Sequence, residues 1–138
     1  MDKAKLEQLI ELHNEGQGAV RICRAIGQSK GIVSWHLAFL NVHGEHELRL
    51  YNEGIGRPSY SKAQILGIYN FVLRTHCSFD RAEVYFKIRR NKLLEKVKRY
   101  IGKENIGKEV PDAVLMIPKL GKDCDVGFPT KISVKQNI

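Results

Sequence analysis

Seven cationic side chains lie within residues 87–99, where a single carboxylate, Glu95, opposes them. They are Lys87, Arg89, Arg90, Lys92, Lys96, Lys98 and Arg99. An exposed helix usually mixes charges of both signs at i,i+4 spacing, so this one-sided run indicates an anionic partner. Arginine can also make paired hydrogen bonds to guanine, and asparagine, such as the neighbouring Asn91, to adenine. The residue types therefore predict a surface that binds nucleic acid.

The charge of the whole chain supports this interpretation. Its 138 residues include 23 lysines and arginines against 15 aspartates and glutamates, a formal net charge of +8. Residues 61–101 alone carry ten basic and three acidic side chains, so nearly all of the excess lies in that stretch. A strongly basic segment in an otherwise near-neutral chain is typical of proteins that bind polyanions.

The sequence also argues against several classes of protein. A hydrophobic content of 43% is sufficient for a buried core. No apolar run approaches the roughly 20 residues of a membrane span, and we expect neither membrane insertion nor secretion. Three widely spaced cysteines without a CxxC pair predict reduced thiols. We expect a cytoplasmic, nucleoid-associated protein if the source is bacterial or a phage, and a nuclear one if it is eukaryotic.

Enzymatic chemistry is not expected either. The chain has no GK[ST] phosphate loop, HExxH or GxSxG motif, and we expect no cofactor. His43 and His46 approach ligand spacing, but no cysteine pair nearby completes a zinc site, so we expect no metal. Carboxylates flank Cys124 on both sides and disfavour a reactive thiolate there.

Helices must position the basic side chains. Apolar residues recur at helical spacing in residues 3–15, 19–26 and 32–40, and again in 61–75, 78–85 and 93–101. Ser61 and Ser78 are placed to cap two of these helices, and a turn at 87–89 precedes the last one. Two helix triplets about sixty residues apart indicate a repeated architecture.

The expected fold is mainly α, with two three-helix units at residues 1–43 and 61–101. Glycines and Pro58 predict an extended linker over residues 44–60, with a short ordered piece at Leu48, Leu50 and Tyr51 as the alternative. Prolines exclude long helices from the tail, residues 102–138, where residues 113–117 and 131–135 have the composition of short strands. A small hairpin or an arm that docks on a partner is therefore expected at the carboxyl end.

Residues 22–37 resemble a helix-turn-helix of the bacterial regulator type. Cys23 is the small residue required where the two helices cross, and Gly27 suits the left-handed position of the turn. Ile32, Val33 and Leu37 would anchor the recognition helix. A cysteine in place of the usual alanine is a departure from this family's pattern.

Residues 75–100 resemble the Fis-type and transposase-type helix-turn-helix. Ala82 takes the small crossing position, and Ile88 and Leu93 take the apolar anchor positions. Lys87 stands where the family favours glycine. A lysine there either adopts a left-handed backbone at a cost of about 1 kcal/mol or changes the shape of the turn.

Gly56-Arg57-Pro58 resembles the minor-groove arm of Hin-like invertases and the linker of paired-type, mariner-like transposases. An extended glycine and proline backbone is thin enough for a narrow A·T-rich groove, whose negative potential attracts arginine. The resemblance implies that Arg57 binds the minor groove.

Together these resemblances imply bipartite, sequence-specific binding of double-stranded DNA, with the third helix of each unit in a major groove. The first unit would contact DNA through Gln28, Ser29, Lys30, Ser34 and His36. The second would use Arg89, Arg90, Asn91 and Lys92 at base edges. Lys96, Lys98 and Arg99 would reach phosphates or stay solvated, and Lys87 is also counted among the DNA-binding residues. Trp35 is expected to support the unit against the first helix, with packing on a deoxyribose as the alternative.

Three functions fit these expectations. Transcriptional regulation in a phage or mobile element is the first, and DNA-end or site recognition for transposition, recombination or packaging is the second. The third is a protein-binding adaptor or inhibitor built on helix-turn-helix units. Under any of the three functions, the far less basic first unit, or the tail, is the expected site of homodimerisation or of binding to a partner protein. A steep salt dependence of binding distinguishes the two DNA-binding functions from the third.

Overall fold

The computed structural model describes residues 1–111 and 113–118, and these residues are mainly helical. The helices are α1 (Lys3–Asn14), α2 (Ala19–Ile26), α3 (Lys30–His43), α4 (Glu45–Asn52), α5 (Lys62–Thr75), α6 (Phe79–Phe86) and α7 (Leu93–Ile101). A short 3-10 helix, Lys103–Asn105, follows α7. The chain divides into two compact units, the first comprising Met1–Arg57 and the second beginning at Pro58.

The first unit contains α1 to α4. Asp2 begins α1 by accepting the N–H of Ala4 at 2.8 Å, which satisfies one of the free donors of the first turn. Each helix contributes fully buried side chains to a common core, among them Leu6, Leu9, Ile22, Val33, Phe39 and Leu48. Burial of these apolar surfaces is the main force that holds the short helices together.

Helix α4 corrects the predicted linker. Residues 44–60 were expected to be an extended linker, with a short ordered piece at Leu48, Leu50 and Tyr51 as the alternative. Instead, Glu45–Asn52 form a helix that includes these three residues and packs on α3 and α1. Leu48 and Tyr51 bury themselves in the core of the first unit, and Arg49 pairs with Glu7 of α1 at 2.9 Å. Gly44, with φ of 91°, makes the corner between α3 and α4. The first unit is therefore a four-helix unit.

The second unit is built on α5, α6 and α7, as the helical spacing predicts. The expected caps are confirmed: Ser61 and Gln64 form a capping box at α5, and Ser78 accepts the N–H of Arg81 at α6. The core of this unit includes Ile65, Ile68, Phe71, Val84, Leu93 and Val97.

Residues after α7 are held against α5 by side chains. Asn70 donates to the carbonyl of Val110 at 2.7 Å and accepts its N–H at 2.9 Å. The Tyr69 hydroxyl donates to the carbonyl of Lys108 at 2.7 Å and accepts the N–H of Gly107 at 2.9 Å. The strand predicted over 113–117 is not present, since the described residues of this segment are not in a strand. The second predicted strand, 131–135, lies outside the described residues.

Candidate nucleic-acid interface

The turn between α2 and α3 has the geometry that the sequence predicts. Gly27 adopts the left-handed conformation, with φ of 68° and ψ of 38°, and its N–H donates to the carbonyl of Cys23 at 2.9 Å. The next N–H, that of Gln28, donates to the same carbonyl. Ser29 then begins α3 by accepting the N–H of Ile32 at 3.4 Å. Only residues 27–29 separate the two helices.

The turn between α6 and α7 starts in the same way. Lys87 is left-handed, with φ of 57° and ψ of 39°, so it keeps the turn that glycine would favour. The N–H of Ile88 donates to the carbonyl of Glu83 at 2.8 Å, as that of Gln28 does to Cys23. Cys23 and Glu83 are therefore equivalent positions in the two turns. Ala82, one residue earlier, had been predicted as the equivalent of Cys23.

The second turn is longer than predicted. Helix α7 begins at Leu93, so residues 89–92 belong to the turn instead of to the first turn of the helix. The N–H of Lys92 donates to the carbonyl of Arg89 at 3.1 Å, and Asn91 is left-handed with φ of 66°. The predicted base-contacting residues therefore share one turn, in which Arg89 and Asn91 are exposed and Arg90 and Lys92 are half-buried.

A buried carboxylate supports this turn from behind. Glu83, 1% exposed, accepts the backbone N–H groups of Lys92 at 2.7 Å and Leu93 at 3.0 Å through Oε2. Burial raises the pKa of Glu83, while the backbone N–H groups of Leu93, Asn91 and Lys92 act in the opposite direction. Glu83 was not predicted as a site residue, because nothing in the sequence of a short amphipathic segment shows that its carboxylate is buried.

Charged side chains line one side of α7, beginning with Lys92 in the turn before it. Lys92, Lys96 and Arg99 follow one another at i,i+4 and i,i+3 spacing, with Glu95 among them. Glu95 lies 3.6 Å from Nζ of Lys92 and 3.4 Å from a terminal guanidinium nitrogen of Arg99. These pairs are exposed and contribute little to stability, so the cations can exchange Glu95 for another anion. Lys98 is exposed at a different position around the helix.

The first unit brings together only part of its predicted set. Ser29, Lys30 and Ser34 are exposed at the start of α3, and Gln28 is half-buried in the turn before it. His36 is separate from them, since its Nδ1 lies 2.7 Å from the carbonyl of Ile32 and its ring contacts Trp35. Asn41 is also exposed on α3, and it lies seven residues after Ser34, which places it on the same helix face as Lys30 and Ser34. It was not among the predicted residues, although this spacing is visible in the sequence.

Trp35 and Arg57 both contact Tyr51, which lies on α4. The Trp35 ring is 5.7 Å from the Tyr51 ring on α4 and 5.6 Å from the Phe39 ring on α3. The expected packing of Trp35 against α1 stays a prediction. Arg57 places its guanidinium 4.5 Å from the Tyr51 ring centroid and donates from Nε to the Tyr51 carbonyl at 2.8 Å. The predicted minor-groove arginine is thus bound to its own unit.

An acidic groove lies between α1 and α4 of the first unit. It is lined by Glu7, Ile10, Glu11, Asn14, Glu15, Glu45 and Arg49. Arg49 bonds to Glu7 at 2.9 Å and to Glu45 at 3.2 Å, and its hydrogen bond lowers the pKa of Glu7. The excess of carboxylates makes this face unfavourable for a polyanion.

Within residues 1–111 and 113–118, no group of three histidine, cysteine or acidic side chains is arranged to hold a metal ion. The described helices are each too short or too polar to cross a membrane. No protein-family model matches the chain, and neither a curated protein nor a solved structure does. What the site does is therefore inferred from its geometry and charge alone.

Proposed function

We propose that this protein binds double-stranded DNA with sequence preference, and that it acts as a transcriptional regulator of the phage or mobile-element type. The observation that carries the proposal is the turn of residues 89–92. It groups two arginines, an asparagine and a lysine next to the basic helix α7, and the buried Glu83 carboxylate accepts a backbone N–H of this turn. Arginine and asparagine are the side chains best suited to read guanine and adenine in a major groove.

The charges favour the second unit as the principal contact. Residues 61–101 carry ten basic and three acidic side chains, and one of those acids, Glu83, is buried. The first unit offers Lys30 and two serines at the start of α3, together with an acidic groove on α1 and α4. We therefore assign affinity and base reading mainly to the second unit.

In-vitro selection from random duplex DNA tests the proposal, with the enriched duplexes measured again across a salt series. A preferred sequence with a steep salt dependence is expected, because each phosphate contact releases counterions. A split sequence indicates reading by both units, and a palindrome indicates a dimer that reads with one unit each. Failure to enrich any sequence, with a shallow salt dependence, overturns the proposal.

Two substitutions distinguish base reading from phosphate contact. Arg90→Ala removes a side chain of the turn and is expected to weaken binding to the selected duplex by about 1–3 kcal/mol, with a relaxed preference at one base pair. Lys98→Ala is the matched control, since it removes one exposed cation of α7 and should weaken all duplexes alike. Equal losses on selected and random duplexes for both variants contradict the assignment of Arg90.

A second candidate function is protein binding through the first unit. The acidic groove of α1 and α4 favours it, because carboxylates in a concave surface attract a basic partner. In that case the first unit contributes nothing to DNA affinity. Lys30→Ala would then leave the affinity for the selected duplex unchanged, whereas a contact of α3 with DNA predicts a measurable loss.

A further inference from the structure

Glu83 is bonded to both ends of the turn that carries residues 89–92. Its backbone carbonyl accepts the N–H of Ile88 at 2.8 Å, where the turn leaves α6. Its side-chain carboxylate accepts the N–H groups of Lys92 at 2.7 Å and Leu93 at 3.0 Å, where the turn enters α7. One residue is therefore bonded to the backbone at both the start and the end of this turn.

The turn needs such support because of its backbone. Lys87 and Asn91 both have positive φ, at 57° and 66°, a conformation that residues other than glycine adopt infrequently. Conformations of this kind persist where surrounding contacts enforce them. The Glu83 side chain is 1% exposed, so its position is set by the core of the second unit.

The first unit shows that this support is not a general requirement of the motif. Cys23 occupies the position that Glu83 holds in the second unit, and its carbonyl makes the equivalent bond to the turn. The short turn of residues 27–29 uses Ser29 as a local cap for α3. The buried acid accompanies the longer turn alone, the one that carries the two arginines.

We propose that Glu83 is a positioning residue that sets the base preference of the DNA-binding surface by fixing the conformation of residues 89–92. The proposal rests on the function proposed above. It has a second consequence for the same site. Glu83 already accepts the N–H groups of Lys92 and Leu93, so these two donors at the start of α7 are not available to a phosphate.

Two variants of the full chain separate the reach of Glu83 from its charge. Glu83→Asp keeps the charge but shortens the side chain by one methylene, and Glu83→Gln keeps an acceptor oxygen at the original reach. Glu95→Gln is the matched control, because it removes an exposed carboxylate from α7 without touching the turn's backbone. The probes are the selected duplex and a random duplex of equal length, each measured at two salt concentrations.

We expect Glu83→Asp to lower the ratio of selected to random affinity about five-fold or more, since a misplaced turn loses paired base contacts. Glu83→Gln should keep most of the ratio. Glu95→Gln should tighten binding to both duplexes equally. An unchanged ratio in Glu83→Asp overturns the proposal, and so does an equal loss in Glu83→Gln, since charge would then matter instead of reach.

Amide hydrogen exchange of the unmodified protein tests the same point without a substitution. If Glu83 fixes the turn in advance, the N–H groups of Lys92 and Leu93 are protected in the free protein and gain little protection on the selected duplex. Protection that develops only with DNA overturns the positioning role, whether or not a Glu83 variant folds. A wild-type protein with no sequence preference defeats the proposed function itself, which is a different result.

Discussion

The guanidinium of Arg57 lies 4.5 Å from the centre of the Tyr51 ring, and its Nε donates to the Tyr51 carbonyl at 2.8 Å. Arg57 is the last residue of the first unit, and this contact ties the chain to α4 up to that point. An arginine that enters a minor groove must first leave the ring. Under the proposed function, minor-groove binding and the packing of α4 would therefore compete for the Arg57 side chain.

This competition predicts two effects of Arg57→Ala. The first unit should lose about 1 kcal/mol of stability, because an exposed cation–π contact and one hydrogen bond disappear. Trp35 is the only tryptophan and lies 5.7 Å from the Tyr51 ring, so its fluorescence can follow unfolding of this unit. Arg24→Ala, an exposed arginine of α2, serves as the control and should have a smaller effect.

On DNA, Arg57→Ala should weaken binding to A·T-rich duplexes most, since a narrow minor groove attracts arginine through its negative potential. Affinities for A·T-rich and G·C-rich duplexes of one length provide the measurement. Equal losses on both would remove the minor groove from the role of Arg57.

Gly27 and Lys87, the left-handed residues that begin the two turns, predict opposite responses to substitution. Gly27→Ala should destabilise the first unit by about 1 kcal/mol, because an L side chain is disfavoured at positive φ. An added Cβ there meets no atom within 4 Å, so no clash increases this cost. Lys87→Gly should stabilise the second unit by a similar amount. Lys87→Ala is the control for the lost charge, and chemical denaturation gives all three values. A stability for Lys87→Gly at or below that of Lys87→Ala would contradict the argument.

Gly67 of α5 lies directly against the segment that follows α7, so its substitution tests whether that segment stabilises the second unit. A Cβ at Gly67 would clash with the backbone carbonyl of Val114 and crowd the Met116 side chain. Gly67→Ala should therefore destabilise the second unit by about 1–3 kcal/mol, although alanine is the better helix former. Gly31→Ala, at an exposed position of α3, should instead stabilise slightly. Denaturation and limited proteolysis after α7 test the pair, and a gain in stability for Gly67→Ala would show that the segment does not press on α5.

Glu83 predicts a pH dependence of stability. Burial raises its pKa in the folded state above the ordinary value near 4.5. Between that value and the raised pKa, the folded state binds more protons than the unfolded state, so the free energy of unfolding contributed by Glu83 falls as pH rises. Glu83→Gln should remove this part of the pH profile. Glu95→Gln, at an exposed site, should leave it in place, and identical profiles for wild type and Glu83→Gln would refute the prediction.

Local patterns were sufficient for much of the fold. The apolar spacing and the serines at positions 61 and 78 predict helices and caps that the structure confirms, because both depend on residues within one or two turns of each other. The left-handed turn at Gly27 was predictable for the same reason. The charge of residues 61–101 is a property of composition, and it indicated the candidate interface before any fold was known.

Contacts between distant residues decided the rest. Residues 45–52 are polar enough to suggest a linker, and they form α4 because Leu48 and Tyr51 enter a core supplied by other helices. The bond from Lys92 to Glu83 joins residues nine positions apart across a turn, and Arg57 folds back onto Tyr51. The sequence by itself predicted the helical segments other than α4, and it showed where the positive charge lies. Only the tertiary structure decided which side chains are buried or hydrogen-bonded to distant residues, because both kinds of contact form when the elements pack together.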